Sequence, residues 1–206
     1  MVHDLSNLSP IAIDCMKELG NIGSGSAANS LSAMLGKTVK MRVPDVRVLE
    51  YQQVIDELGG AEKLITGILV PLGGDIKGMM MFLLQESFAK VVVNTFMQKD
   101  EIALHTLDET ERSMILEMGN IMAGSYLNAL SDLTGLSMEM AVPSMNVDML
   151  GAILNVMLVE FAEVGDTVLF IDDGFVIDNV DIKSNIILIP EMESLDTLMK
   201  KLGVYQ

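Results

Sequence analysis

Several residue types that would indicate particular functions are scarce in this chain of 206 residues. There is one cysteine, Cys15, so an intramolecular disulfide is excluded and nothing suggests an oxidising compartment. The two histidines, His3 and His105, stand alone in the sequence. They are too few for a Ser-His-Asp or Cys-His arrangement, and without companions they do not indicate a metal site. We therefore expect neither a nucleophilic triad nor a metal ion or other cofactor held by this chain.

Basic residues and long apolar runs are also in short supply. Thirteen Lys and Arg residues against 29 Asp and Glu residues give a formal charge of -16. This charge disfavours nucleic acids and anionic membranes, and it suits a partner that presents Lys or Arg. The longest apolar run, GMMMFLL, is far shorter than the roughly 20 residues that span a bilayer, and the acidic N-terminus resembles no signal peptide. We expect a cytoplasmic monomer that does not insert into a membrane.

An internal duplication becomes visible when the chain is shifted by 99 residues against itself. Residues 14–44 then align without a gap with residues 113–143, and unrelated segments would agree at only a few positions. The matched pairs include Glu18/Glu117, Gly20/Gly119, Asn21/Asn120, Ile22/Ile121, Gly25/Gly124, Ser26/Ser125, Asn29/Asn128, Leu31/Leu130, Ser32/Ser131, Gly36/Gly135, Met41/Met140 and Pro44/Pro143. The duplication predicts a single domain, residues 1–206, built from two homologous halves at about 8–98 and 108–206.

The duplication also decides how a glycine-rich stretch in the first copy is interpreted. Gly23, Gly25 and Ala28 have the G-x-G-x-x-A spacing of a dinucleotide-binding loop. Such a loop follows a β-strand, but no strand precedes this one. The first glycine, Gly23, is replaced by Met122 in the second copy, although the surrounding residues are kept. We therefore reject a nucleotide-binding loop.

Each copy is predicted to be a long helix with one polar face. At 100° per residue, Asp14, Glu18 and Asn21 fall within about 60° of one another, opposite an apolar side suited to a core. The same positions of the second copy are occupied by Ser113, Glu117 and Asn120.

Residues with known positional preferences mark the ends of both helices. Ser9 followed by Pro10 is typical of a helix start, and Asp108 can cap the second helix. Gly36 and Gly135 have the position of helix-ending glycines.

Between and after these helices the chain alternates between strand and helix patterns. The predicted strands are 37–49, 63–72, 76–84, 138–146, 155–164, 166–174 and 184–190, and the shorter helices are 54–60, 85–99, 148–153 and 191–203, with a polar connector at 98–109. We expect an α/β (α+β) fold with a pseudo-twofold axis, a largely antiparallel sheet, and the two long helices side by side on one face.

A Glu and an Asn one helical turn apart form a small polar site without a nucleophile. An Asn amide can hold a water molecule by donating and accepting hydrogen bonds, and in-line attack on a phosphoryl group depends on such positioning of water. The Glu can pair with a cation of a docking partner, and Gly25 and Gly124 leave room for that partner's backbone. The alternative is that these are ordinary solvated helix residues, which their recurrence in both copies makes less attractive.

The pattern Asp/Ser-x3-Glu-x2-Asn-x22-Pro, present twice, resembles the CheC family of chemotaxis phosphatases, which includes CheC, CheX and a domain of FliY. It matches Asp14, Glu18, Asn21 and Pro44 in the first copy and Ser113, Glu117, Asn120 and Pro143 in the second. Two intact copies are similar to the CheC members; FliY would carry further segments at both ends, and FliM lacks the Glu–Asn pairs.

The resemblance implies hydrolysis of the aspartyl phosphate on the response regulator CheY. The Asn would orient the attacking water, and the Glu would pair with the regulator's active-site lysine. Mg²⁺ would be held by the regulator.

The resemblance also implies binding of CheD, a receptor-modifying deamidase. The implied contact is DMLGAIL, residues 148–154, with Asp148, Leu150 and Ile153 as the contact residues; a simple packing role is the alternative. Two other functions remain open, an adaptor that sequesters CheD or phosphorylated CheY, and a component of the flagellar switch.

Overall fold

The computed structural model describes residue 5 and residues 8–160 and 167–204. Within these ranges, helices and strands alternate along the chain. The helices are α1 (Pro10–Leu35), α2 (Tyr51–Leu58), α3 (Glu86–Met97), α4 (Glu109–Thr134), α5 (Leu150–Glu160) and α6 (Met192–Lys201). The strands are β1 (Val39–Met41), β2 (Asp45–Glu50), β3 (Leu64–Gly74), β4 (Gly78–Leu84), β5 (Met138–Met140), β6 (Ser144–Met149), β7 (Thr167–Ile177) and β8 (Val180–Pro190).

The ends of the two long helices are set by the residues that the sequence analysis identified. The Ser9 hydroxyl accepts a hydrogen bond from the N–H of Ala12, and Pro10 is the first residue of α1. Asp108 caps α4 by accepting from the N–H of Glu111, whose side chain accepts from the N–H of Asp108 in return. These side chains satisfy N–H groups that have no partner inside the helix. Both C-terminal glycines adopt the left-handed conformation, with φ of 63° at Gly36 and 66° at Gly135.

Within the described residues, all eight strands join one antiparallel sheet in the order β1–β7–β8–β4–β3–β5. Strands β1 and β2 pair one after the other along the same edge of β7. In the same way, β5 and β6 pair one after the other along the same edge of β3. The first strands of each copy therefore pair with the long hairpin of the other copy. The two hairpins meet at the centre of the sheet, where β4 pairs with β8. The two predicted halves are interlocked through the sheet.

Helices cover both faces of this sheet. On one face α1 and α4 lie side by side, together with α3 and α6, over a large core. On the other face α2 and α5 cover a second core. Strand β4 shows why its sequence is an unbroken apolar run: Met80 and Phe82 enter the first core, and Met79 and Met81 enter the second.

The predicted fold class is confirmed: the sheet is antiparallel and the two long helices share one face. One predicted strand is wrong. Residues 155–160 continue helix α5, and the remaining predicted positions, 161–164, lie outside the described residues. The burial of Leu150, Ile153, Leu154 and Met157 has a helical spacing that packs this segment on the sheet. The division into halves at 8–98 and 108–206 stays a prediction.

None of the helices in the described ranges is long and apolar enough to cross a membrane.

Asp173 is a carboxylate inside the first core region. It lies on β7 at 5% exposure, and its Oδ1 accepts a hydrogen bond from the N–H of Gly174 at 2.7 Å. Burial raises the pKa of Asp173 to about 6, an effect that the hydroxyl of Ser24 and the N–H of Gly174 oppose and the charge of Asp172 increases. The unfolded chain ionises an aspartate near pH 4. The folded state therefore loses stability from this group as the pH rises from about 4 to about 6.

We expect Asp173→Asn to raise the free energy of unfolding at pH 8 by up to about 3 kcal/mol, which corresponds to a pKa of about 6 in place of about 4. The gain should vanish near pH 4, because the folded wild type is protonated there. Urea unfolding at both pH values measures the effect, with Asp132→Asn on the exposed side of α4 as the control. An equal gain at both pH values would contradict the assignment.

Candidate functional site

The first copy of the motif lies on the outer face of α1. Glu18 and Asn21 are exposed one helical turn apart. Asp14 is also exposed, one turn before Glu18, with its Oδ1 4.0 Å from the Nζ of Lys17. Such an exposed pair contributes little to stability. Buried residues on the opposite face of α1, such as Leu19, hold the helix against the core. The predicted polar stripe therefore faces solvent.

The second copy repeats this arrangement on α4 with three differences. Glu117 is exposed like Glu18, but Asn120 is half-buried. Ser113 is exposed in the position of Asp14, and Leu116 replaces Lys17. The second site therefore has the same Glu and Asn in a less charged surrounding.

The Glu and Asn side chains of both copies are available to a second molecule as far as the described residues are concerned. In the part of the chain that the structure describes, none of the four forms a hydrogen bond or an ion pair with another residue. An exposed carboxylate and amide without partners can bind groups of a second molecule, whereas a buried pair would have had to be satisfied internally. Each pair therefore lies on a helix surface that a second molecule can reach.

The segment formed by β1 and β2, residues 39–50, lies along α1 beside the first site, and we call it the arm. A methyl group on Gly20 would lie 3.1 Å from Cγ2 of Val46 and 3.9 Å from Cγ of Pro44. Pro44 lies between β1 and β2. It is buried, and it packs the arm against α1 near Gly20. One turn further along, a methyl group on Gly25 would lie 3.3 Å from the Sδ of Met41. The space that we expected a partner's backbone to use at Gly25 is thus bordered by the chain's own methionine.

The second site has the corresponding arm, residues 138–149, formed by β5 and β6. A methyl group on Gly124 would lie 3.9 Å from the Sδ of Met140, and Pro143 is half-buried. Each arm is fastened by the hairpin of the other half: the N–H of Arg42 donates to the oxygen of Gly174 at 2.8 Å, and the N–H of Ala141 donates to the oxygen of Pro71 at 3.0 Å. Each site therefore combines a helix and arm of one half with a support from the other.

The arms carry a feature that the sequence analysis missed. Val43 and Val142 lie directly before Pro44 and Pro143 and are 86% and 89% exposed. The two valines also match in the 99-residue alignment, so their recurrence was visible in the sequence. The sequence alone does not single them out, because a valine side chain has no polar or charged group that would indicate a site.

The segment predicted to contact CheD is only partly at the surface. Leu150 and Ile153 are 0% and 3% exposed and belong to the core under α5, and their role as contact residues stays a prediction. They alternate with outward positions because the segment is helical. Asp148 is half-buried at the end of β6, where its Oδ1 accepts from the N–H of Met149 at 2.7 Å. The outward apolar side chains are Met149, Val156 and Val159.

Within the described residues, no group of three or more His, Cys, Asp or Glu side chains is arranged to hold a metal ion. The expectation that the chain needs no metal of its own stays a prediction.

Comparison with known proteins places both copies of the motif in one family. The model of the CheC-like family matches residues 11–48 and 111–147. The CheY-P phosphatase CheC of Bacillus subtilis is 30% identical over 195 residues, which cover 93% of each chain. The flagellar motor switch phosphatase FliY of the same organism is 24% identical over 69% of this chain and 37% of its own. The crystal structure of Thermotoga maritima FliY matches with a TM-score of 0.78 and 23% identity, over 97% of this chain and 100% of that chain.

Proposed function

Because this chain belongs to the CheC-like family, we propose that it is a phosphatase that hydrolyses the aspartyl phosphate of the response regulator CheY. The observation that carries the proposal is the presence of two Glu–Asn pairs at the surface, Glu18/Asn21 and Glu117/Asn120, whose side chains have no partner among the described residues. The recurrence of the same two residue types on the same face of both long helices argues against ordinary solvated residues. The names of the relatives support the reaction at the level of the family.

In this function the chain completes an active site that the regulator brings. The side-chain oxygen of Asn21 or Asn120 accepts a hydrogen bond from a water molecule, and its NH2 group donates one to the water oxygen, which orients that water. The water oxygen attacks phosphorus as the bond from phosphorus to the aspartyl oxygen breaks, which releases phosphate and the free carboxylate, and the water proton passes to phosphate or solvent. The Mg²⁺ ion and the phosphorylated Asp belong to the regulator.

Glu18 or Glu117 provides the docking contact in the same encounter. A lysine beside the regulator's aspartyl phosphate is a cation within reach of a Glu one turn from the Asn. A charge pair formed at the edge of a closed, water-excluding contact fixes the approach of the amide to the phosphoryl group. The Glu thereby controls orientation, and the Asn controls the water.

A turnover measurement tests the proposal against sequestration. We expect substoichiometric wild-type protein to release many phosphates per chain from phosphorylated CheY, because a catalyst is regenerated. Phosphate release against time, compared with spontaneous decay of the regulator alone, measures this. Slower decay than the regulator alone would instead support an adaptor that holds phosphorylated CheY.

We also propose that the chain binds CheD through the outer side of the β6–α5 segment. Met149, Val156 and Val159 form an exposed apolar strip at 52%, 46% and 81% exposure, and Asp148 lies beside its start. Apolar side chains next to one charge are typical of a specific contact surface. This surface lies on the opposite face of the sheet from α1 and α4, so both partners could bind together.

A charge reversal tests the CheD contact. We expect Asp148→Lys to lower capture of CheD in a pull-down by about tenfold or more, because a charge at a contact edge would be reversed. Asp132→Lys, on α4 at the other face, is the matched control and should capture CheD like the wild type. Undiminished capture by Asp148→Lys would refute the placement.

We expect the protein to act as a monomer in the cytoplasm.

A further inference from the structure

Val43 and Val142 are the most exposed large apolar side chains of the described residues, at 86% and 89%. A single exposed valine is ordinary in a folded protein. These two occupy the same position of both copies, while the residue before each differs, Arg42 in one and Ala141 in the other. The pair is therefore a repeated feature of the two arms.

The backbone around each valine is held firmly, so its exposure is not a result of a loose end. On the first arm, Pro44 is buried and Val46 is 1% exposed against α1. The N–H of Arg42 is hydrogen-bonded to the neighbouring hairpin. Val43 lies between these anchors with its side chain outward. An apolar group fixed in water contributes nothing to folding, and it is prepared to lose its hydration on contact with another surface.

The first valine is at the same level along α1 as the water-orienting amide. The arm passes Gly25 at Met41 and passes Gly20 at Pro44. Val43 lies between Met41 and Pro44, and Asn21 lies between Gly20 and Gly25, so both belong to the same stretch of the site. A protein that covers the Glu–Asn pair therefore has the arm as its nearest neighbouring surface at this level of α1.

We propose that Val43 and Val142 are apolar docking contacts for the phosphorylated response regulator, one at each Glu–Asn pair. This inference rests on the proposed phosphatase function and adds a residue type that the family motif does not include. The Glu recognises a cation and the Asn acts on water, but neither removes much surface from water. The valine supplies that burial, and it sets how strongly the regulator binds without touching the reacting atoms.

Kinetics separate this role from catalysis. We expect Val43→Ser/Val142→Ser to raise the KM for phosphorylated CheY by about tenfold, as expected for loss of an anchoring apolar contact, and to leave kcat within about twofold. Val180→Ser at the start of β8 is the control, since it removes an exposed valine that belongs to neither Glu–Asn site. The assay contains no CheD, and the control should retain the wild-type KM.

A direct binding measurement keeps the outcome clear if the protein does not turn over phosphate. The regulator is charged with beryllium fluoride as a phosphoryl mimic, and its Kd is measured for the wild type and both variants. A weaker Kd for the Val43/Val142 variant alone supports the docking role, even if hydrolysis is absent and the phosphatase proposal fails. An unchanged Kd and KM, an equal change in the Val180→Ser control, or a fall in kcat at constant KM would each overturn it.

Discussion

Replacing Asn21 and Asn120 together by alanine is expected to lower the rate of CheY-P hydrolysis by about 100-fold or more. Each tenfold step corresponds to about 1.4 kcal/mol in the barrier, so the loss of water orientation is taken to cost about 3 kcal/mol. Alanine removes both the donor and the acceptor of the amide but keeps the helix. Phosphate release at saturating phosphorylated CheY measures the effect, because the docking Glu residues remain and binding should be kept.

The chain offers a close control for this double variant. Asn29 and Asn128 also recur in both copies and are exposed on the same two helices, two turns beyond the candidate residues. We expect Asn29→Ala/Asn128→Ala to hydrolyse CheY-P like the wild type. A similar loss in both double variants, or in neither, would remove the assigned role from Asn21 and Asn120.

The two single variants apportion the activity between the copies. If both sites work independently, the rates lost in Asn21→Ala and Asn120→Ala add up to the loss in the double variant. Because Asn120 is half-buried and Asn21 is exposed, we expect the two sites to contribute unequal shares. Equal residual rates would mean that the difference in exposure has no bearing on turnover.

A single methyl group added at Gly23 is expected to lower the free energy of unfolding by about 2 kcal/mol. Gly23 faces the ring of Tyr126 across the contact between α1 and α4, and the methyl carbon would lie 2.5 Å from Cε2 of that ring. Tyr126 is 1% exposed, so its ring has little room to move. A contact this short corresponds to the upper end of the 1–3 kcal/mol that overpacking costs, and the roughly 1 kcal/mol that alanine gains over glycine in a helix leaves a net loss of about 2 kcal/mol.

Thermal unfolding tests Gly23→Ala against a neighbour on the same helix. For a chain of this size, about 2 kcal/mol corresponds to a fall in Tm of about 5 °C. Gly25→Ala is the control, since its methyl group would meet only the flexible Met41 side chain at 3.3 Å. We expect no loss of stability there. Equal Tm values for the two variants would show that the helix contact relaxes more easily than the burial of Tyr126 suggests.

The parts of the fold that sequence analysis predicted depend on local chemistry. Ser9 and Asp108 cap helices because their side-chain oxygens reach nearby N–H groups, a short-range effect that is readable from residue types. The polar stripe of Glu18 and Asn21 follows from helical periodicity alone. These features need no knowledge of which segments meet in three dimensions.

The parts that were wrong or unseen depend on long-range packing. Residues 155–160 have a strand-like composition, yet they are helical because the buried positions of α5 meet the sheet in a helical spacing. The same packing buries Leu150 and Ile153, two of the residues predicted to contact CheD, which their apolar character alone does not reveal. Nothing local tells that β2 pairs with β7 and β6 with β3, because each hairpin offers similar edges to either arm.

The contact between Gly23 and Tyr126 has a counterpart in the duplication that bears on how the two copies are joined. Gly23 aligns with Met122, and Tyr126 aligns with Ala27. At both aligned positions the first copy has the small residue and the second copy has the large one. Two identical copies assembled from separate polypeptides could not divide bulk in this way, because any substitution would appear on both sides. Fusion into one polypeptide permits such unequal partners, and it leaves each site free to diverge from its twin through single codon changes.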